Sequence, residues 1–150
     1  MADIISPVSR SKNMSAIKSK DTKPEIYFRK KLFALGLRYR KNVSYIYGHP
    51  DIYFKGNNVA IFIHGCFWHR HSECKYAYTP KSRIDFWSSK FENNIKRDAV
   101  VRDYLSSQKI RCLVVWECTI KQMIRNKSIE KQVLDKTLDF MKSDNMYLEL

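Results

Sequence analysis

The run IRCLVVW, Ile110 to Trp116, constrains the fold more than any other stretch, because it is almost wholly apolar and rich in β-branched residues. A strand of that kind has no polar face, so layers must cover it on both sides. The signals on either side of it supply those layers. At Asp21-Thr22-Lys23-Pro24-Glu25 a capping residue, a proline and an acid mark a helix start, and Phe28, Leu32 and Leu35 continue the helix to Gly36. From Arg38 to His64 the period changes. Tyr39, Val43 and Tyr45, then DIYFK and NVAIFIH, read as three strands, the last two a hairpin around Gly56-Asn57-Asn58. Ser82-Arg83-Ile84-Asp85 matches a capping box before a long helix toward Leu105 that carries Trp87, Phe91 and Ile95. A last helix spans Ser128 to about Lys142, with Ile129, Val133, Leu134, Leu138 and Met141 on one face. The order points to an α/β sandwich around a mixed central sheet.

A chain of 150 residues is the size of one domain, here residues 21–150, preceded by a basic arm over residues 1–20. The formal charge of +13 favours a polyanionic partner, which releases condensed counterions on binding, so nucleic acid leads the partner classes. No apolar run is long enough to span a membrane, and no basic helix has a clean apolar face. The N-terminal MADIISPVSRSKNM lacks a signal-peptide run, so a cytoplasmic, reducing location is expected and disulfides are not.

Four cysteines then need another explanation. Cys66, His71 and Cys74 have the spacing C-x4-H-x2-C, which lets one turn present two thiolates and an imidazole to a tetrahedral zinc ion. Cys112 and Cys118 compete for the fourth place. In an extended strand they would lie roughly 20 Å apart, so both cannot reach one ion. Cys112 sits mid-run and reads as core, whereas Cys118 follows the strand, where a loop site could receive it. Arg70, Ser72 and Glu73 would make poor core, which weighs against four unliganded buried thiols. A closed shell of four ligands makes such an ion structural.

His64 and His69 flank this knot. A structural place and a catalytic one are both open to them, since an imidazole can accept a proton from water at neutral pH. Hydrolysis of a phosphodiester also calls for a hard cation on oxygen ligands. Asp51, after Gly48-His49-Pro50, is either an ordinary turn acid or that ligand, because the expected hairpin puts it beside His64. Glu25 and Asp98 are surface acids or outer carboxylates of the same site. Phe67 and Trp68, if exposed beside a basic surface, could stack on bases or wedge a base step apart.

SRSKNMSAI, GHPDIYF, IFIHGCFWHRH, the segment around DFW, NIKRD and VVWEC occur in consistent order over residues 9–118. With these motifs the chain resembles the very short patch repair endonucleases, bacterial enzymes that nick DNA beside a T:G mismatch. The resemblance implies a restriction-endonuclease-like fold with a structural zinc site. It implies Asp51 and the carbonyl of Ile63 as ligands of catalytic Mg2+, with Glu25, His64 and Asp98 holding waters around it and His69 as general base. It implies Zn2+ on Cys66, His71, Cys74 and Cys118. Met14, Phe67 and Trp68 would enter the duplex at the mismatch, where a weakly held step kinks most easily. The substrate would be the thymine left by deamination of 5-methylcytosine opposite guanine, cut on its 5′ side. The expected partner is double-stranded DNA, met by a monomer, with a mismatch-repair accessory protein as a candidate partner.

Two departures bear on this. Phe62-Ile63-His64 stands where restriction-type nucleases carry an acid-x-lysine pair, so a histidine mechanism must replace the lysine one. The His71 to Cys74 segment is one residue longer than in the best-known member, which affects the loop's DNA contacts. The competing functions are a zinc-stabilised DNA-binding module without catalysis and a restriction-type enzyme cutting both strands.

Overall fold

The computed structural model describes residues 20–150. Met14 and nearly all of the expected basic arm lie outside the described residues. Among them the element order is α1 (Lys23–Ala34), β1 (Arg40–Lys41), β2 (Ile52–Phe54), β3 (Val59–His64), α2 (Ile84–Ser107), β4 (Arg111–Trp116), α3 (Glu117–Arg125), α4 (Lys127–Lys142) and β5 (Tyr147–Glu149). The strands form one mixed sheet in the order β1-β2-β3-β4-β5, antiparallel up to β3 and parallel beyond it.

Alternation along the strands divides the core into two. Ile52, Phe54, Val59, Ile61, Ile63, Leu113 and Val115 face one layer, where Phe28 and Leu32 of α1, Ile120 and Met123 of α3, and Val133 and Phe140 of α4 cover them. Tyr53, Ala60, Phe62, Cys112, Val114 and Trp116 face the other, under Leu105 of α2 and Cys66 of the cysteine-rich loop. This is the two-sided burial that IRCLVVW requires.

Several local expectations change. The first strand shrinks to Arg40–Lys41, and the chain between it and β2 is irregular. α1 begins as expected, with the Thr22 hydroxyl accepting from the Glu25 N–H, but Leu35 is the exposed C-cap rather than a core residue. Arg83, in the left-handed region at φ 53°, caps α2 with no side-chain cap bond, so the expected capping box does not form. Ile95 of α2 is 51% exposed, because only the helix ends are buried, at Trp87, Phe91 and Leu105. α3 and β5 are additions. No side-chain cap marks the start of α3 at Trp116, and β5 is only three residues long, entered through the Ser143-Asp144-Asn145 turn.

Candidate active site and metal centre

Sheet pairing places the candidate groups at one end of the molecule. Antiparallel register sets Ile52 opposite Ile61, so Asp51, just before β2, comes alongside the end of β3, and its Oδ2 accepts from the Ile63 N–H at 2.7 Å. Parallel register sets His64, the last residue of β3, opposite Trp116, the last of β4. Beyond His64 the chain makes one tight helical turn, with His69 N–H donating to Gly65 C=O at 3.1 Å and His71 N–H to Cys66 C=O at 3.0 Å. That turn folds His69 back over His64, and their rings stack at 3.8 Å.

The middle of α2 fixes this loop on consecutive turns. Asn94 Nδ2 donates to the Trp68 carbonyl at 2.9 Å, and Asp98 Oδ2 lies 2.7 Å from His69 Nδ1. Arg70 holds the far side, donating to the carbonyls of Phe67, Ala77 and Tyr78 and lying 3.9 Å over the Phe91 ring. Glu25, Asp51, His64, His69 and Asp98 line one cavity of about 560 Å³. All five residues thus meet at the same cleft, although they come from α1, β3 and α2, the residue before β2 and the turn after β3.

The electrostatics of the cleft are distinctive. Burial pushes the Asp51 carboxyl up to about 7, with a further rise from the charge of Glu25, against the lowering effects of the Ile63 N–H and the His69 and Arg29 charges. A carboxylate in that setting gains strongly from a nearby cation. Burial, followed by the charge of His69, brings His64 down to about 3, so His64 is a neutral imidazole at neutral pH. Arg97 and Arg102 of α2 and Tyr147 of β5 also border the cleft, and Arg102 Cζ is 3.4 Å from the centroid of the Tyr147 ring. Sequence reasoning missed them, because an arginine on a helix has no motif and β5 was not expected.

The cysteine-rich loop meets the start of α3 a short distance away. Cys66, His71, Cys74 and Cys118 offer ligand atoms that all lie within 4.8 Å of one another, and Cys118 Sγ is 3.4 Å from His71 Nδ1. Tetrahedral zinc with Cys and His ligands has donor atoms about 3.5–3.8 Å apart, so this donor set and spacing fit such an ion. Cys118 reaches the cluster from the first turn of α3, not from a loop. Cys112 lies on β4 in the sheet core, apart from the cluster, where burial raises its thiol to about 12. His71 stacks on Trp116 at 4.2 Å, and Trp116 Nε1 donates to Glu149 of β5 at 2.8 Å, so strand and knot brace each other. Glu73 adopts φ 57° in the loop, with no contact among the described residues that gives it a role.

Phe67 and Trp68 are half-buried, not open to solvent. Phe67 sits edge-on to Trp68, Trp87 and Phe91, at centroid distances of 5.1, 5.5 and 5.2 Å, which makes an aromatic wall beside the cleft.

Comparison with known proteins agrees with the geometry. The family described as DNA mismatch endonuclease Vsr matches residues 2–75. The type II nicking enzyme V.NmeAIP of Neisseria meningitidis serogroup A is 43% identical over 136 residues, covering 91% of this chain and 94% of that protein. V.HpaIIP of Haemophilus parainfluenzae, also a type II nicking enzyme, is 51% identical over 106 residues, or 70% of this chain and 75% of its own. The DNA mismatch endonuclease Vsr of Escherichia coli K12 is 38% identical over 123 residues, 81% of this chain and 77% of that protein. The chain belongs to the Vsr endonuclease family, and the acid and histidine cleft is the candidate active site of a DNA endonuclease.

Proposed function

We propose that the protein is a magnesium-dependent endonuclease that nicks one strand of duplex DNA on the 5′ side of the thymine in a T:G mismatch, the product of 5-methylcytosine deamination, and so starts short-patch repair. The observation that carries this reading is the convergence of Asp51, His64, His69 and Asp98 on one cleft of a strongly basic protein. A pure DNA-binding module has no use for acids there, since they would repel phosphate.

The donor set fits a hard cation. Asp51 would hold Mg2+ through its carboxylate with the Ile63 carbonyl beside it, and Glu25, His64 and Asp98 would order water around the site. When bound, the ion would offset charge that develops on the phosphoryl oxygens. His69 accepts a proton from the attacking water, and Asp98, 2.7 Å from Nδ1, holds the ring so that Nε2 is the accepting atom. His64 keeps its neutral form and packs the other face of that ring. Zn2+ on Cys66, His71, Cys74 and Cys118 would be structural, because four protein ligands close its shell. The fold would then be a restriction-endonuclease-like sheet in which a histidine replaces the usual lysine. Phe67 and Trp68, with Met14 from the arm, would enter the duplex at the mismatch, and their aromatic wall supports a rigid wedge.

Labelled duplexes that differ only at one base pair, T:G, T:A, C:G or U:G, test this with magnesium and then with EDTA. Magnesium-dependent cleavage of the thymine strand in T:G duplex is the expected result. Cleavage of both strands of T:A duplex would favour a restriction-type enzyme, and binding without cleavage would favour a DNA-binding module.

A further inference from the structure

Glu25 enters the cleft from α1 and Asp51 from the residue just before β2, and their spacing needs a physical cause. A short chain of hydrogen bonds supplies one. The Asp21 N–H donates to Glu25 Oε2 at 2.8 Å. Asn42 Nδ2 donates to Asp21 Oδ1 at 2.9 Å, and the Asn42 N–H donates to the Asp51 carbonyl at 3.0 Å. Arg29 Nη2 donates to the same Asp21 oxygen at 2.8 Å, and Arg29 is buried, with 6% of the residue exposed. Among the described residues Arg29 Nη1 is buried with no hydrogen-bond partner, so Asp21 is the side chain that holds the guanidinium in place. Tyr39 OH donates to the Arg29 carbonyl at 3.0 Å and ties the same turn of α1 to the segment before β1.

Backbone conformation sets this network apart from ordinary surface bonding. Both bridge residues occupy the left-handed region, Asp21 at φ 56° and Asn42 at φ 49°. Non-glycine residues reach it at a cost of about 1 kcal/mol or more, and Asp and Asn do so most readily because their side chains bond locally. In these conformations the Asp21 N–H reaches the Glu25 carboxylate, the Asn42 N–H reaches the Asp51 main-chain carbonyl, and the two side chains bond each other.

We propose that Asp21 and Asn42 are positioning residues, a two-residue bridge locked by Arg29 that sets the distance between Glu25 and Asp51 and thereby tunes the affinity of the cleft for its cation. The proposal rests on the metal role given above to Asp51 and Glu25. Supporting groups of this kind, which orient metal ligands from outside, typically change metal affinity by about 10–100-fold when removed.

Glycine variants isolate the bridge, because glycine accepts φ near +50° without strain and keeps the backbone N–H. Binding of Mn2+ alone to the full chain without DNA, followed by the electron paramagnetic resonance of the free ion, is the readout. Melting temperature confirms that each variant is folded. Asn42→Gly and Asp21→Gly are expected to bind Mn2+ about ten-fold more weakly than wild type, and Asp21→Asn, which keeps the accepting Oδ1 and tolerates a left-handed φ, is expected to restore most of the affinity. Wild-type affinity in both glycine variants would overturn the bridge. If Asp51→Ala binds Mn2+ as tightly as wild type, the metal reading itself is wrong and the bridge falls with it, so the two failures are told apart by one control.

Discussion

The imidazoles of His64 and His69 lie face to face, with centroids 3.8 Å apart and planes 4° from parallel. Two protonated rings at that separation would repel by about 4 kcal/mol in a protein-surface environment, so the stack holds one proton at most. Burial and the His69 charge both keep His64 neutral, whereas His69 has Asp98 Oδ2 2.7 Å from its Nδ1. The unequal surroundings support the unequal roles proposed for the two rings. His69→Ala is expected to lower the nicking rate by about 10²–10⁴-fold, the usual loss of a general base. Asp98→Asn should cost about 10²-fold by releasing the ring. His64→Ala should cost less than His69→Ala under single-turnover conditions, and the reverse order would exchange their roles.

Cys118 and Cys112 provide a second contrast, because both lie at or beyond β4 yet only Cys118 joins the cluster. Cys118→Ser is expected to lose most bound zinc, counted by metal analysis of purified protein, and several kcal/mol of stability, since the energy of binding a structural ion is folding energy. Cys112→Ser places a hydroxyl in an apolar site at a cost of about 1–3 kcal/mol but should keep one zinc per chain. Equal zinc loss in both variants would remove the distinction.

Much of the site was legible in the sequence because its groups lie close together along the chain or at the ends of a hairpin. Cys66, His71 and Cys74 occupy nine residues, and Asp51 and His64 are joined by β2, a short turn and β3. Register carries such groups together without any tertiary knowledge. The IRCLVVW run likewise specified two-sided cover, which α1, α3 and α4 give on one face and α2 gives on the other. The missed parts depend on distant contacts. β5 forms because Cys112 N–H and Leu150 N–H find partners in Met146 C=O and Val114 C=O, an arrangement with no local signature. Ile95 matched the helical period of Trp87 and Phe91, which pack against Phe67, but is 51% exposed, so periodicity alone overstated the buried face. Asp21 and Asn42 are 21 positions apart, and although Asp21 opens the helix-start signal, nothing local links it to Asn42.

On the opposite face from the cleft, Glu130 of α4 receives the Tyr27 hydroxyl of α1 and pairs with Lys31 and Lys127 at 3.4 and 3.5 Å. The Tyr27 hydrogen bond, with help from the lysines, holds the Glu130 carboxyl below its ordinary range. A depressed folded pKa contributes stability that is present above the unfolded value and is lost as pH falls through the folded value. Glu130→Gln is therefore expected to be less stable at pH 7 by about 1 kcal/mol, a few degrees in melting temperature. The two proteins should converge as the pH falls below the ordinary glutamate range. A difference that stays constant down to pH 3 would mean that packing, not charge, links α1 to α4.

Gly48 separates two costs that usually occur together. It has φ 87°, and a Cβ there would come within 2.5 Å of Val101 Cγ1 on α2. Gly36 has the same φ of 87° with nothing within 4 Å, so Gly36→Ala measures the backbone strain alone, expected at about 1 kcal/mol in urea unfolding. Gly48→Ala adds the steric overlap and is expected to cost about 2 kcal/mol or more. Because Gly48 leads through His49 and Pro50 into Asp51, a loop that relieves that overlap by moving away from α2 also draws Asp51 away from Asp98. Nicking by Gly48→Ala should therefore fall by about ten-fold or more even where the protein remains folded. Adding Val101→Ala removes the overlapping methyl groups and should recover nicking and the steric part of the stability loss, while the backbone part of about 1 kcal/mol persists. Failure of Val101→Ala to recover nicking would show that the left-handed turn itself, not its close approach to α2, places Asp51 in the cleft.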